Sequence, residues 1–363
     1  METIEHIHGG NLREAAERYG INEAGIVDFS ANINPFGMSS KAVEAIINNI
    51  DVVTNYPDPQ AVVLRRAVSE WLGLPDNMIV AGNGAVEILY LLAKVIGPEL
   101  ALIPAPTFNE YEIAVRNNKG KVRDCCLDEG SDFSLDTGDV IRLWQDTDAV
   151  FICNPNNPTG RLIPRDKLEE LIKKAAGLRK WVIVDEAFMD FVADRENYSV
   201  MDLVTKYSNL FVLYSLTKFF AIPGLRLGMG IGSPDIIAKI NRVRDPWNVN
   251  CFAQLVGAAV LKDEQYISNT VSFVNEEKTF LYDRINNIIG LRPIAPSANY
   301  MLINVAGTGY SAAEVCQMLG EQGILVRDCS SYKNMRPVYI RTAVKKREEN
   351  KLLIESLQRL GRK

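Results

Sequence analysis

From about residue 78 onward the chain alternates short apolar runs with helix-like segments, and this alternation constrains the fold more than any other feature. The runs cover 78–81, 100–103, 149–153, 181–185, 210–214 and 228–231. Each has strand length and is apolar almost throughout. Strands that are apolar on both faces are covered on both faces, as in a mostly parallel sheet sandwiched by helices. Most of the runs end in glycine or polar residues, and in open sheets of this kind ligands bind beyond the carboxyl ends of the strands. The sequence therefore predicts an α/β fold with its chemistry gathered just after those runs.

The flanking segments are mixed. A helix is expected over 12–19, an extended run over 26–29, and a polar turn over 30–37 punctuated by Pro35 and Gly37. Helices are expected over 40–49 and 61–72, separated by Tyr56-Pro57-Asp58-Pro59. Past residue 250 comes a long helical stretch, 252–287, then strand candidates 300–305, 324–327 and 338–342 and a last helix over 346–360. No repeat or low-complexity linker is visible. The expected organisation is an N-terminal arm with part of a small domain (1–50), a large domain (51–250), and an inter-domain helix with a C-terminal α+β portion of the small domain (251–363).

Composition narrows the function classes. With 363 residues, 47% hydrophobic and 23% charged, the chain suits a large core plus a second, smaller one. A net charge of -5 and the lack of a basic stripe argue against nucleic-acid binding. Lys345, Lys346 and Arg347 are followed at once by Glu348 and Glu349, the pattern of a solvated helix face. No signal peptide is visible in METIEHIHGG. The most apolar stretch, 89–106, is interrupted by Lys94, Pro98 and Glu99, so no membrane span is expected. Six scattered cysteines without a Cys-x-x-Cys pair, and two histidines, speak against a metal site and suit a reducing cytoplasm. No Gly-x-Gly-x-x-Gly or Gly-x-x-x-x-Gly-Lys-Ser/Thr pattern marks a nucleotide site.

A lysine closes the run 210–214, in Ser215-Leu216-Thr217-Lys218, and Arg226 follows within Pro223-Gly224-Leu225-Arg226-Leu227-Gly228. Most lysines are solvated surface charges; this one gains weight from its company. Asp185 ends the apolar run 181–185, where a buried carboxylate costs several kcal/mol unless it is paired. A protonated ring nitrogen of a planar cofactor is a suitable partner. Taken alone, the same aspartate suits a helix N-cap at a strand-to-helix turn better. Asn154-Pro155-Asn156-Asn157-Pro158-Thr159-Gly160 follows the run 149–153, and its amides suit plain turn chemistry or a ring oxygen. Gly82-Asn83-Gly84-Ala85 ends one run and opens a helix, where backbone N–H groups make an anion site and glycine admits a phosphate. With Ser215, Thr217 and Arg226 it supplies a phosphate cup. Phe108, after the run 100–103, suits a ring stack or the core.

These motifs, in this order, resemble the fold-type I pyridoxal-phosphate (PLP) enzymes, the aspartate aminotransferase superfamily. SLTKFFAIPGLRLG, CNPNNPTG, VDEAF and the Tyr56-Pro57-Asp58 turn carry the resemblance over nearly the whole chain. Within the superfamily the chain is similar to the histidinol-phosphate aminotransferase branch. On His8-Gly9-Gly10-Asn11, DFSANINPFG, AGNG and the lysine loop, it is similar to the threonine-phosphate decarboxylase family of cobalamin biosynthesis. The resemblance implies a large domain with a mostly parallel seven-stranded sheet between helices, a smaller α+β domain built from both termini, PLP as cofactor, and a homodimer. It implies that Lys218 holds PLP as a Schiff base and that Asp185 pairs with the pyridinium nitrogen, these two being the catalytic residues. Asn157 then contacts the ring hydroxyl, Phe108 stacks on the ring, and Gly84, Ala85, Ser215 and Arg226 hold the cofactor phosphate. Tyr56 reaches that phosphate from the partner subunit. Arg341, in VYIRT, matches the family's arginine for the substrate α-carboxylate, and His8, Gly9, Asn32, Asn157 and Arg327 complete the substrate set. In one departure, many aminotransferases carry tyrosine where Phe188 stands. Phe188 has no hydrogen-bond donor for the ring oxygen, which leaves that work to Asn157.

The implied reaction is decarboxylation of L-threonine O-3-phosphate. The α-bond that breaks is the one perpendicular to the cofactor ring. Arg341 holding the carboxylate in the ring plane exposes the α-hydrogen and favours transamination. A phosphate gripped by Arg327 and His8 turns the carboxylate upright and favours loss of CO2. Three alternatives share these residues: a histidinol-phosphate aminotransferase, an L-serine O-phosphate decarboxylase differing by one methyl in its substrate, and a PLP-sensing regulatory module. For the last, no helix-turn-helix segment is expected ahead of the fold.

Overall fold

The computed structural model describes residues 9–360. Its strands, in chain order, are β1 (Val27–Asp28), β2 (Ile79–Asn83), β3 (Leu100–Ala105), β4 (Lys121–Cys126), β5 (Ala149–Cys153), β6 (Trp181–Asp185) and β7 (Leu210–Ser215). They continue with β8 (Leu227–Gly232), β9 (Arg292–Pro293), β10 (Tyr300–Asn304), β11 (Ile324–Leu325), β12 (Arg327–Asp328) and β13 (Tyr339–Ala343). The main sheet has seven strands in the order β2-β8-β7-β6-β5-β3-β4. All neighbours are parallel except β8, which is antiparallel to both β2 and β7. This is the mostly parallel seven-stranded sheet that the resemblance implied.

The two-sided burial read from the sequence follows from the period of two along a strand. In β5, Val150 and Ile152 enter one core, while Ala149, Phe151 and Cys153 enter the other. The first core is completed by Leu64 and Val68 of the helix Val62–Leu72, by Leu168 and Leu171 of Arg165–Gly177, and by Val256 of Cys251–Val260. The second is completed by Ile88 and Leu92 of Ala85–Ile96, Tyr111 of Glu110–Asn117 and Ile236 of Pro234–Val243. A fully buried Val, Leu, Ile or Phe contributes roughly 1.5–3 kcal/mol. Two such layers hold the strand ends in fixed positions.

β4 is the strand that the apolar runs did not announce. It pairs only with β3, at the sheet edge, and reads Lys-Val-Arg-Asp-Cys-Cys. Charged residues on an edge strand discourage pairing with another chain and also erase the apolar signal. The stretch 252–287 is not one helix. It breaks at Leu261-Lys262-Asp263 into Cys251–Val260 and Glu264–Asn286, and the Asp263 side chain caps the second by accepting from the Tyr266 N–H.

The expected strand 324–327 is likewise divided. β11 pairs with β1 as a separate two-stranded parallel ribbon, and β12 joins the four-stranded antiparallel sheet β12-β13-β10-β9. The switch at Val326 places Arg327 directly opposite Arg341 across β12 and β13. A third apolar cluster packs under this sheet, with Phe29, Leu281, Ile285, Met301, Ile303, Val315, Ile340 and Leu353. Among the described residues no helix is long and apolar enough to cross a membrane.

Candidate active site

The carboxyl ends of β5, β6 and β7, the start of the helix Ala85–Ile96 and the strands β12 and β13 enclose a cavity of about 580 Å³. β7 delivers Ser215 to its rim, and the short helix Leu216–Phe219 turns Lys218 into its wall. Burial lowers the Lys218 ammonium to about 8, and the nearby Arg341 and Arg226 guanidinium groups push it the same way. Ser215 Oγ and Thr217 Oγ1 lie 2.7 Å apart beside it.

Arg226 follows at a left-handed residue (φ 58°) and packs its guanidinium against Gly84. A Cβ at Gly84 would stand 2.6 Å from Arg226 Nη2, and its φ of 83° excludes side chains independently. Only glycine lets the arginine close over the helix start. Ala85–Ile96 has no side-chain cap there, so its first N–H groups face an anion site.

Asp185 closes β6 and is 7% exposed. Its Oδ2 accepts from the Tyr111 hydroxyl at 2.7 Å and its Oδ1 from the Ala187 N–H at 2.9 Å. Burial raises this carboxyl above its ordinary value, against the pull of those two donors. No cation among the described residues forms a salt bridge with it. Phe108 lines the cavity and meets Tyr111 edge-on, with ring centroids 5.6 Å apart.

On the opposite wall stand Asn32, Asn157, Arg327, Tyr332 and Arg341. Asn157 Oδ1 accepts from Arg341 Nη1 at 2.5 Å, and the Ser30 carbonyl accepts from Arg341 Nη2 at 2.7 Å. Arg341 Nε and Asn32 Oδ1 are buried and have no hydrogen-bond partner among the described residues. Such orphaned groups cost about 1–3 kcal/mol each and point to a ligand that satisfies them. Arg327 Nη2 donates to Ser331 Oγ at 3.0 Å. Gly9 also lines the cavity, because the Gly9-Gly10 run lies flat on Ser30. A Cβ at Gly9 would meet the Ser30 carbonyl oxygen at 2.4 Å, and the Gly10 N–H donates to Ser30 Oγ at 2.9 Å.

Most of the residues singled out in the sequence therefore line one cavity: Gly9, Asn32, Gly84, Ala85, Phe108, Asn157, Asp185, Ser215, Lys218, Arg226, Arg327 and Arg341. Two do not. His8 lies outside the described residues. Tyr56 is 79% exposed and stacks on Trp247 at 4.5 Å, so it does not line its own chain's cavity. Sequence reasoning missed Ser30, Tyr90, Glu110, Tyr111 and Tyr332. Tyr111 is buried in a helix together with the apolar Ile113, Ala114 and Val115, and reads as core. Glu110 accepts from the Tyr90 hydroxyl at 2.7 Å, a contact between two helices that no spacing rule connects. No group of three or more His, Cys, Asp or Glu able to hold a metal occurs among the described residues.

A model of the aminotransferase class I and II family matches residues 24–357, and the chain belongs to that family. It is thus a fold-type I enzyme dependent on pyridoxal 5'-phosphate. It is 38% identical, over 97% of its length and 93% of the other's, to a protein of Caldanaerobacter subterraneus subsp. tengcongensis provisionally named a threonine-phosphate decarboxylase. With the threonine-phosphate decarboxylase of Salmonella typhimurium it shares 34% identity over 99% of this chain and 97% of that one. Among solved structures, the histidinol-phosphate aminotransferase of Clostridium acetobutylicum is similar, with a TM-score of 0.86 and 33% identity, covering 92% of this chain and 98% of that one.

The residues present fit the cofactor on their own geometry. The cavity offers an amine whose proton affinity is lowered to about 8, a buried carboxylate with no salt-bridge cation among the described residues, and a glycine-arginine cradle at an uncapped helix start. An aldehyde, a pyridine nitrogen and a phosphate are the groups that complement those three.

Proposed function

We propose that the chain decarboxylates L-threonine O-3-phosphate to (R)-1-amino-2-propanol O-2-phosphate and CO2, a step in assembling the nucleotide loop of cobalamin. The observation that carries this reading is the pairing of Arg327 and Arg341 across adjacent strands in the wall of the Lys218 cavity. Two guanidinium groups side by side suit a short substrate with an anion at each end. The threonine-phosphate decarboxylase names among the relatives support the same substrate class.

PLP, when bound, supplies the electron sink for the bond that breaks. The chain's own residues do the rest. Lys218 Nζ would hold the cofactor aldehyde, and the same amine lines the cavity where it would carry the proton that replaces the carboxylate on Cα. Asp185 holds the ring nitrogen protonated, and Tyr111 and Ala187 hold Asp185. Gly84, Ala85, Ser215 and Arg226 would hold the cofactor phosphate, and Phe108 and Asn157, which line the same cavity, would meet the ring and its oxygen. Arg341 takes the substrate carboxylate through its unpartnered Nε, and Arg327, Asn32 and the Gly9 backbone take the substrate phosphate, with His8 as a fourth candidate.

The test is a paired assay on PLP-loaded protein with L-threonine O-3-phosphate. Sustained CO2 release with the PLP absorbance retained is expected; its absence sinks the reading. Running L-serine O-phosphate in parallel measures the methyl, worth about 1–3 kcal/mol of discrimination. The second reading, histidinol-phosphate aminotransferase, is favoured by the 33% identity to a solved enzyme of that name. It predicts conversion to pyridoxamine phosphate on adding histidinol phosphate.

The working unit is proposed to be a homodimer that brings Tyr56 to the partner's phosphate site. Ile47, Ile50, Val53, Tyr56, Val63 and Trp247 are large hydrophobic side chains exposed by 48–79% along and beside residues 47–63. A run of this kind on one surface is unusual for a protein that works alone. Sedimentation equilibrium at twice the chain mass is expected. A fully active monomer would refute the dimer and remove the role given to Tyr56.

A further inference from the structure

Lys218 belongs to a helix of only four residues, Leu216–Phe219. The last four carbonyls of a helix need partners beyond it, and here that is every carbonyl the helix has. The chain that follows serves two of them. The Leu216 carbonyl accepts from the Phe220 N–H at 3.2 Å, and the Thr217 carbonyl from the Ile222 N–H at 3.0 Å. Asn34, 185 residues before Phe219, serves the other two. Its backbone N–H donates to the Lys218 carbonyl at 3.0 Å, and its Nδ2 donates to the Phe219 carbonyl at 2.7 Å. The other donors are less well placed. The Ala221 N–H is 3.4 Å from the Lys218 carbonyl. The Tyr266 hydroxyl is 3.3 Å from the Phe219 carbonyl and has a nearer acceptor in the Gly37 carbonyl, at 2.7 Å.

Asn34 is itself locked. It is 3% exposed, its Oδ1 accepts from the Phe36 N–H at 3.0 Å, and its Nδ2 lies 2.9 Å from both Tyr266 Oη and Thr270 Oγ1. Ser30, Asn32 and Asn34 are the buried positions of one short segment, with Ala31 and Ile33 half-buried between them. The Ser30 carbonyl holds Arg341, Asn32 lines the cavity, and Asn34 holds the lysine helix. The position of Lys218 needs such a hold. A protonated Lys218 gains water by leaving the cavity, and the Arg341 and Arg226 guanidinium groups repel it in the same sense.

We propose that Asn34 is a positioning residue for Lys218: it caps the carbonyl end of the lysine helix from the N-terminal arm and so keeps the Lys218 amine in the cavity. This rests on Lys218 as the residue that holds the cofactor, and not on which substrate is turned over. Asn34→Ala keeps the backbone N–H but removes the donor to the Phe219 carbonyl. The helix end then loosens and the charged amine escapes to water.

The test uses apoprotein. It is trace-acetylated with acetic anhydride over a series of pH values, and acetylation at Lys218 is read by peptide mass spectrometry. The wild-type half-point is expected at about 8. In Asn34→Ala it is expected at about 9 or above, the tenfold change in proton affinity that follows from losing a hydrogen bond of ordinary strength. Tyr266→Phe removes the more distant donor and leaves the cap, so its half-point stays at about 8. An unchanged half-point in folded Asn34→Ala overturns the proposal. So does a shift in Tyr266→Phe as large as that in Asn34→Ala, because loosened packing then accounts for both. If Asn34→Ala does not fold, Asn34→Leu, which keeps the branched outline of the side chain, takes its place. If neither folds, Asn34 serves the fold alone and the proposal is overturned. A PLP-loaded wild type that releases no CO2 overturns the substrate reading and leaves these profiles standing. Borohydride reduction that fixes PLP on a residue other than Lys218 overturns the assignment of Lys218 and this inference with it.

Discussion

Replacing Lys218 with alanine lowers CO2 release from L-threonine O-3-phosphate by at least about a thousandfold, within the range lost when a positioned proton-transfer group is removed. The same change leaves the apoprotein as stable as wild type or slightly more so. Lys218 shares its cavity with Arg226 and Arg341, both of which disfavour its charged form, and burial disfavours it further. Removing it therefore relieves repulsion. Circular dichroism and a thermal melt of the apo variant, beside the CO2 assay, check both halves. Unchanged turnover would remove Lys218 from the mechanism, and a collapsed melt would recast it as structural.

The same environment gives wild type a pH signature. The neutral amine is the form that reacts with an aldehyde, and its share rises with pH through the folded value of about 8 rather than the ordinary lysine value of 10.5. The rate of PLP uptake by apoprotein should climb with pH and level off just above 8. The sign for stability follows from the same protons. Between pH 8 and 10.5 the unfolded chain holds a proton that the folded chain has released, so this group's contribution to stability rises with pH across that window. A rate still climbing at pH 10 would contradict the buried, cation-flanked setting.

Asp185→Asn is expected to cost about a hundredfold to ten-thousandfold in turnover while PLP remains bound. The carboxylate is buried and held by one hydroxyl and one backbone N–H, and it lacks a salt-bridge cation among the described residues. A protonated ring nitrogen completes it, and without the negative charge the ring loses much of its capacity as an electron sink. Asparagine keeps the shape. Its oxygen can accept from Ala187, and the Tyr111 hydroxyl can reverse to accept from its amide. Folding should therefore survive, because an uncompensated buried charge has been removed rather than created. Retained PLP absorbance with turnover within threefold of wild type would contradict the pairing of Asp185 with the ring.

How legible each part was depended on whether its signal was local. β5 and β6 were readable to the residue because strands buried on both faces are apolar without interruption. β4 was not, because an edge strand carries Lys121, Arg123 and Asp124 and looks like a loop. The break at Asp263 was missed because one capping residue inside a long helical pattern changes few of the spacings around it. In the site, Lys218, Asp185, Gly84 and Arg226 stood out because each follows the end of an apolar run or lies in the loop after it. Tyr111 and Glu110 did not, because their partners, Asp185 and Tyr90, are far away in sequence and meet them only through packing.

The sequence by itself therefore implied the cofactor through the family its motifs resemble, and by pattern alone determined the layered α/β architecture and the strand ends that carry the chemistry. These are properties of periodicity and of residues close together along the chain. The tertiary structure alone decided that Arg327 faces Arg341, that Asn157, Tyr332 and Ser30 hold the Nη groups of Arg341 while Nε is left unpartnered, and that Gly9 rests on Ser30. Those facts depend on strand register at the Val326 switch and on contacts between segments that pack together from opposite ends of the chain, and no local pattern encodes either.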